Sequence, residues 1–134
     1  MDKAKKMLYA YKFLLKETGG VKIRLEGNSM FPTLTNGQVV SVYPIVDDIN
    51  NSDIVLFIRK EMLILHRVIK QYNNRIILKG DNEDEINVVS RDNIIARYSN
   101  CEITDNSNKV IKTVCDNSII MFIIDNGILE KIKL

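Results

Sequence analysis

Ser29, His66 and Asp81 are the residues of this chain whose types and spacing could do chemistry. A serine hydroxyl becomes a nucleophile when a neighbouring base takes its proton. An imidazole, with an unperturbed pKa of about 6.5, can do so at neutral pH without the desolvation a lysine requires. Ser29 lies in Gly27-Asn28-Ser29-Met30-Phe31-Pro32-Thr33-Leu34, between two runs of alternating polarity. His66, the chain's single histidine, lies inside the apolar run 62–69, and Gly80-Asp81-Asn82 closes the run after that. Singly each is ordinary: a serine in a proline turn, a packed histidine on a strand, an Asp that forms a turn. Their order along the chain is what suggests a site.

The elements that must position them are legible from periodicity. Ala4, Leu8, Tyr11 and Leu15, widened by Met7 and Leu14, repeat at helical spacing, so 3–17 reads as an amphipathic helix with lysines opposite, closed by Gly19-Gly20. From Val21 the period becomes two, and Val21, Ile23 and Leu25 share the buried face of a strand that delivers the chain to Ser29. Further strands are expected over 39–43, stopped by Pro44, over 54–58, 62–69 and 76–79, and over 94–103 and 110–114. The run 62–69 is apolar on both faces, as a central strand would be, with Met62, Ile64, His66 and Val68 on one side and Leu63, Leu65, Arg67 and Ile69 on the other. The tail, 117–134, is apolar on all sides at 119–124 and reads as a buried closing element, helix or strand.

At 134 residues and 46% hydrophobic the chain is the size of one domain with one sizeable core. We expect a single domain over 1–134: the helix at 3–17, a β core over 21–116 that carries the chemistry, and the tail. A net charge of +2 gives no field for a nucleic-acid partner, and none is expected. Cys101 and Cys115 have no Cys-x-x-Cys or His-rich setting, so they read as free buried thiols, or as a pair where neighbouring strands bring them together, and neither a metal nor another cofactor is implied. The chain holds no apolar stretch of the roughly 18 to 20 residues a span needs and no signal peptide, which predicts a cytoplasmic protein. The basic helix and the apolar tail are candidates for peripheral membrane contact.

The boxes taken together resemble the serine peptidases that include signal peptidase I and the LexA-type self-cleaving repressors. Gly27-x-Ser29-Met30-x-Pro32-Thr33-Leu34 with Gly37 and Val39-x-Ser41-Val42 is similar to the nucleophile box. Asp53-Ile54-Val55-Leu56-Phe57 is similar to the next strand, His66-Arg67-Val68-Ile69 to the general-base box, and Lys79-Gly80-Asp81-Asn82 to the final box. The resemblance covers about residues 21–100 and implies a mainly β fold of coiled antiparallel sheets with the N-terminal helix packed on it. Most bacterial signal peptidases and LexA-type proteins carry lysine at the base position, whereas the endoplasmic-reticulum and archaeal type carries histidine before Arg-Val, as His66-Arg67-Val68 does here.

That resemblance implies a Ser-His serine endopeptidase. Ser29 would attack, His66 would take and return the proton, and the Ser29 backbone N–H would serve the oxyanion, with Met30 and Pro32 as candidate substrate contacts. Gly27 occupies the position where signal peptidases often place a serine that adds a hydroxyl donor. In histidine-type relatives the acid that orients the histidine lies six residues beyond the Asp of the Gly-Asp box, and that position is Asn87, so the third member stands open between Asp81 and Asn87. Signal peptidases also carry a transmembrane anchor ahead of the nucleophile box, where this chain has its basic helix. The expected substrate is therefore the leader or signal-like segment of a peptide or small-protein precursor in the cytoplasm. The alternatives are a LexA-like self-cleaving regulator and a catalytically inactive peptide-binding module of the same fold.

Overall fold

A computed structural model describes residues 2–100 together with the backbone of strands at 109–115, 118–125 and 128–132. The chain opens with α1 (Lys3–Thr18). Asp2 caps it by accepting from Lys5 N–H, and Gly19, at φ 75°, closes it with its N–H on Leu15 O. A left-handed residue at that point costs glycine nothing, and this is why the helix stops there. Met7, Leu8, Ala10, Tyr11, Leu14 and Leu15 bury the apolar stripe against β2, β3 and β7 of the sheet described next. Each large side chain among them stabilises the fold by about 1.5–3 kcal/mol relative to exposure.

The strands are β1 (Val21–Arg24), β2 (Val39–Pro44), β3 (Ile54–Arg59), β4 (Met62–Tyr72), β5 (Arg75–Lys79), β6 (Ile86–Ser90) and β7 (Ile94–Ser99), then β8 (Lys109–Cys115), β9 (Ser118–Asp125) and β10 (Ile128–Ile132). They form one sheet in the order β6-β5-β4-β3-β7-β2-β1-β10-β9-β8, antiparallel except where β10 runs parallel to β1. The architecture is the mainly β, curled antiparallel sheet with one N-terminal helix that the sequence implies. The apolar tail resolves as β9 and β10, while the Cys101 and Cys115 thiols lie outside the described residues.

Alternation along β3 explains the core. Ile54, Leu56 and Ile58 join α1 and Val21 in one apolar cluster, whereas Val55 and Phe57 join Val68, Ile76 and Leu78 in a second on the opposite face. β4 is likewise central, between β3 and β5, with Leu65 on the first face and Val68 on the second. Lys60 and Glu61, both at positive φ, make the two-residue turn between β3 and β4, so that Arg59 pairs with Met62 across the hairpin end.

One strand departs from expectation. β6 has no counterpart in the periodicity reading, because its polarity is inverted over 86–88, where Asn87 is 5% exposed while Ile86 and Val88 are 58% and 54% exposed, and only Val89 keeps an apolar residue on the buried face. It pairs with β5, placing Asn87 opposite Leu78.

Candidate active site

β4 carries His66 one residue before the Arg67–Lys79 pair, so the next position of the neighbouring segment, Gly80, falls beside the imidazole. A Cβ at Gly80 would stand 3.1 Å from His66 Nε2, 3.2 Å from Ser29 Cβ and only 2.5 Å from Ser29 O. Ser29 and the imidazole thus approach one point, and only a residue without a side chain fits between them. Asn82 fastens the nucleophile loop to this corner. Its backbone N–H donates to Ser29 O at 2.9 Å and its side-chain amide to Asn28 O at 3.1 Å.

Gly27 stands at its position for a backbone reason. It sits at φ 87°, a left-handed conformation that disfavours other residues, with its N–H on Asn36 Oδ1 at 2.8 Å. Met30 is buried in the core and lines the site, and its sulfur accepts the Asp81 N–H at 3.5 Å. Pro32, whose peptide bond with Phe31 is cis, is exposed and does not line the cleft.

Asp81 and Asn87 are placed differently. The Asp81 carboxylate receives Arg67 Nε and Nη2, each at 2.8 Å, and the Thr33 hydroxyl at 2.5 Å. These bonds hold its pKa down to about 2, the Arg67 hydrogen bonds foremost, with burial opposing, then the Thr33 bond and the charges of Arg67 and Lys79. Asp81 therefore ties the nucleophile loop to β4, with its carboxylate oxygens engaged by Arg67 and Thr33. Arg67 also donates to Ser52 O at 2.8 Å, extending the clamp to the loop before β3. The residue against the inner nitrogen of His66 is Asn87, with Nδ2 at 3.4 Å from Nδ1.

Two further neighbours of the imidazole were not legible as site residues. Arg59, at the end of β3, donates from Nη1 to Asn87 Oδ1, and Glu83 Oε2 lies 3.6 Å from His66 Nε2. Glu83 belongs to an acidic run that looks like an ordinary solvated loop, and Arg59 to a hairpin turn, so neither had a sequence signal beyond charge. Lys79 Nζ donates to the Gly80 carbonyl at 3.0 Å.

Burial pushes the His66 pKa below its ordinary 6.5, against the opposing pull of Glu83, Asp81 and Glu85, while Lys79 adds to the lowering. The imidazole is 4% exposed and meets the Phe57 ring edge-on at 5.8 Å. Burial thus favours the neutral imidazole over the imidazolium. In front of Ser29 and His66 lies a cleft of about 760 Å³, bounded by 23–27 at the end of β1 and after it, by the β3–β4 hairpin and by Glu83, Glu85 and Asn87. Among the described residues no group of His, Cys, Asp and Glu side chains could hold a metal ion, and no helix is long and apolar enough to cross a membrane.

The model of one family, Peptidase S24-like, matches residues 2–104, and the chain belongs to that family. Neither the curated proteins nor the solved structures contain a match.

Proposed function

We propose that this Peptidase S24-like chain is a serine endopeptidase of the Ser-His type, acting as one domain over 1–134 on an extended segment of a peptide or small-protein precursor, such as a leader. The observation that carries the reading is the convergence of Ser29 and His66 Nε2 on the space beside Gly80, at the wall of the cleft. In the reaction His66 Nε2 takes the Ser29 hydroxyl proton as the oxygen attacks the scissile carbonyl. The Ser29 backbone N–H donates to the oxyanion, and His66 returns the proton to the leaving amine. Water then attacks the acyl-enzyme, again losing its proton to His66, and releases the acid product. This transfer needs the lone pair on Nε2 and the hydrogen on Nδ1.

Substrate backbone would run along 23–27, with Ile23, Leu25, Met30 and Leu63 offering an apolar wall for one or two of its side chains. The resemblance to the histidine-type signal peptidases supports His66 as base. A cytoplasmic setting, with the basic face of α1 available to an anionic surface, completes the proposal.

A second reading is an inactive peptide-binding module, favoured by Asn87, which brings no negative charge to the imidazole. Incubation with a peptide library and mass spectrometry of the products separates the two. Wild type is expected to cleave at defined bonds, and Ser29→Ala and His66→Ala to lose roughly 10⁴-fold in rate. Equal cleavage by all three removes the peptidase reading, and specific peptide binding with no cleavage by wild type favours the module.

A further inference from the structure

His66 is the chain's single imidazole, and both of its nitrogens face groups whose hydrogen-bonding sense is fixed. Arg59 has only donors, so the Asn87 atom it meets must be the acceptor, Oδ1. This fixes the direction of the amide. The other end, the NH₂ group, then faces His66 Nδ1 at 3.4 Å, so Nδ1 is the acceptor and carries the lone pair. On the far side, the Glu83 carboxylate at 3.6 Å from Nε2 is an acceptor and favours a hydrogen there. The two neighbours agree, and they agree on the tautomer opposite to the one proton abstraction needs.

We infer that Arg59 is a positioning residue that, through Asn87, holds His66 at rest with its hydrogen on Nε2, so that turnover requires Arg59 to release the Asn87 carbonyl and the amide to turn over. The inference rests on the Ser-His reading for its catalytic meaning, though not for the tautomer itself. Arg59 has a place to go: Glu85 Oε1 lies 3.7 Å from the same Nη1, and both residues border the cleft, where an arriving substrate reaches them. Once Arg59 leaves, Asn87 can present Oδ1 to Nδ1–H, and Nε2 gains the lone pair that faces Ser29. Proton count is unchanged, since the imidazole loses the Nε2 hydrogen to solvent and takes one at Nδ1. Asn87 is thereby a conditional orienter of the base, in contrast to a carboxylate, which could only accept.

Long-range proton–nitrogen correlation spectra of protein labelled with ¹⁵N-histidine read this tautomer directly, with one imidazole to assign. Wild type above the His66 pKa is expected to give the Nε2–H pattern. Arg59→Met is expected to shift the population about tenfold toward Nδ1–H, with kcat on a library-identified peptide rising by a similar factor. Arg59→Gln, which can accept as well as donate and so no longer dictates the amide, should move in the same direction if the Met variant folds poorly. A dominant Nδ1–H form in wild type, or an Nε2–H population unaltered in the folded Arg59 variants, overturns the inference. The spectra need no substrate, so failure here is distinct from failure of the peptidase reading, which the Ser29 and His66 variants test.

Discussion

Asp81, just after β5, and Asn87, near the start of β6, flank the loop between those strands, and each turns a side-chain oxygen to an arginine. At the Asp81 end the carboxylate takes a forked pair of bonds from Arg67 and a third from Thr33, which leaves it a fixed strut between the nucleophile loop and β4. At the Asn87 end a neutral amide has one end on Arg59 and the other on His66. A charge held by two parallel bonds is strong and immobile. An amide between a cation and an imidazole is weaker and can reverse. Against the inner nitrogen of His66 there is thus a neutral amide, while the half-buried Asp81 carboxylate maintains geometry.

The comparison can be broken at the point both ends share. Gly80→Ala would force Ser29 and the imidazole apart, and we expect a loss of about 10²-fold in kcat, with peptide binding affected less. Undiminished kcat would show that the two need not meet there. The strut predicts a stability effect: Asp81→Asn removes the charge from the Arg67 fork and should cost roughly 2 kcal/mol, a factor of about 30 in the folding equilibrium, read by urea unfolding.

Asn87→Asp sharpens the other end. A carboxylate there would stabilise imidazolium and raise the pH of the ascending limb of kcat by roughly one unit. An unmoved limb would mean that residue 87 does not govern the base.

In wild type the limb should have its midpoint below 6.5, since burial lowers the His66 pKa. The linkage to stability has the same sign at both groups. The unfolded chain binds each proton first, so stability is lost as pH falls from 6.5 to the lower folded value of His66, and again from 3.8 to about 2 through Asp81. An acid titration of Tm that stayed flat between pH 4 and 2 would exclude the second component.

Much of this was readable in the chain because local chemistry and tertiary fold agree. The spacing from Met7 to Leu15 fixes the buried face of α1, Gly19 its end, and the change to period two the start of β1. The Gly-x-Ser-Met-x-Pro, His-Arg-Val and Gly-Asp-Asn boxes, far apart in the chain, meet beside Gly80. Where reading failed, the local signal was reversed or generic. β6 buries an amide and exposes two β-branched residues, which no hydrophobic alternation reveals. Arg59 and Glu83 acquire meaning only through partners 28 and 17 positions away, and nothing short-range marks them.

The inverted polarity of β6 also bears on how the chain finds its native pairing. Strand register is ordinarily chosen by which residues prefer the interior, and a slip of one residue exchanges the two faces. For 86–90 such a slip would turn Ile86 and Val88 inward and Asn87 outward, so hydrophobicity alone does not select the observed alignment. What opposes the slip is the burial of Val89 together with the polar contacts that Asn87 makes with Arg59 and His66. In this part of the molecule the site helps to specify the fold, and a substitution that silences Asn87 would be felt during folding before it was felt in turnover.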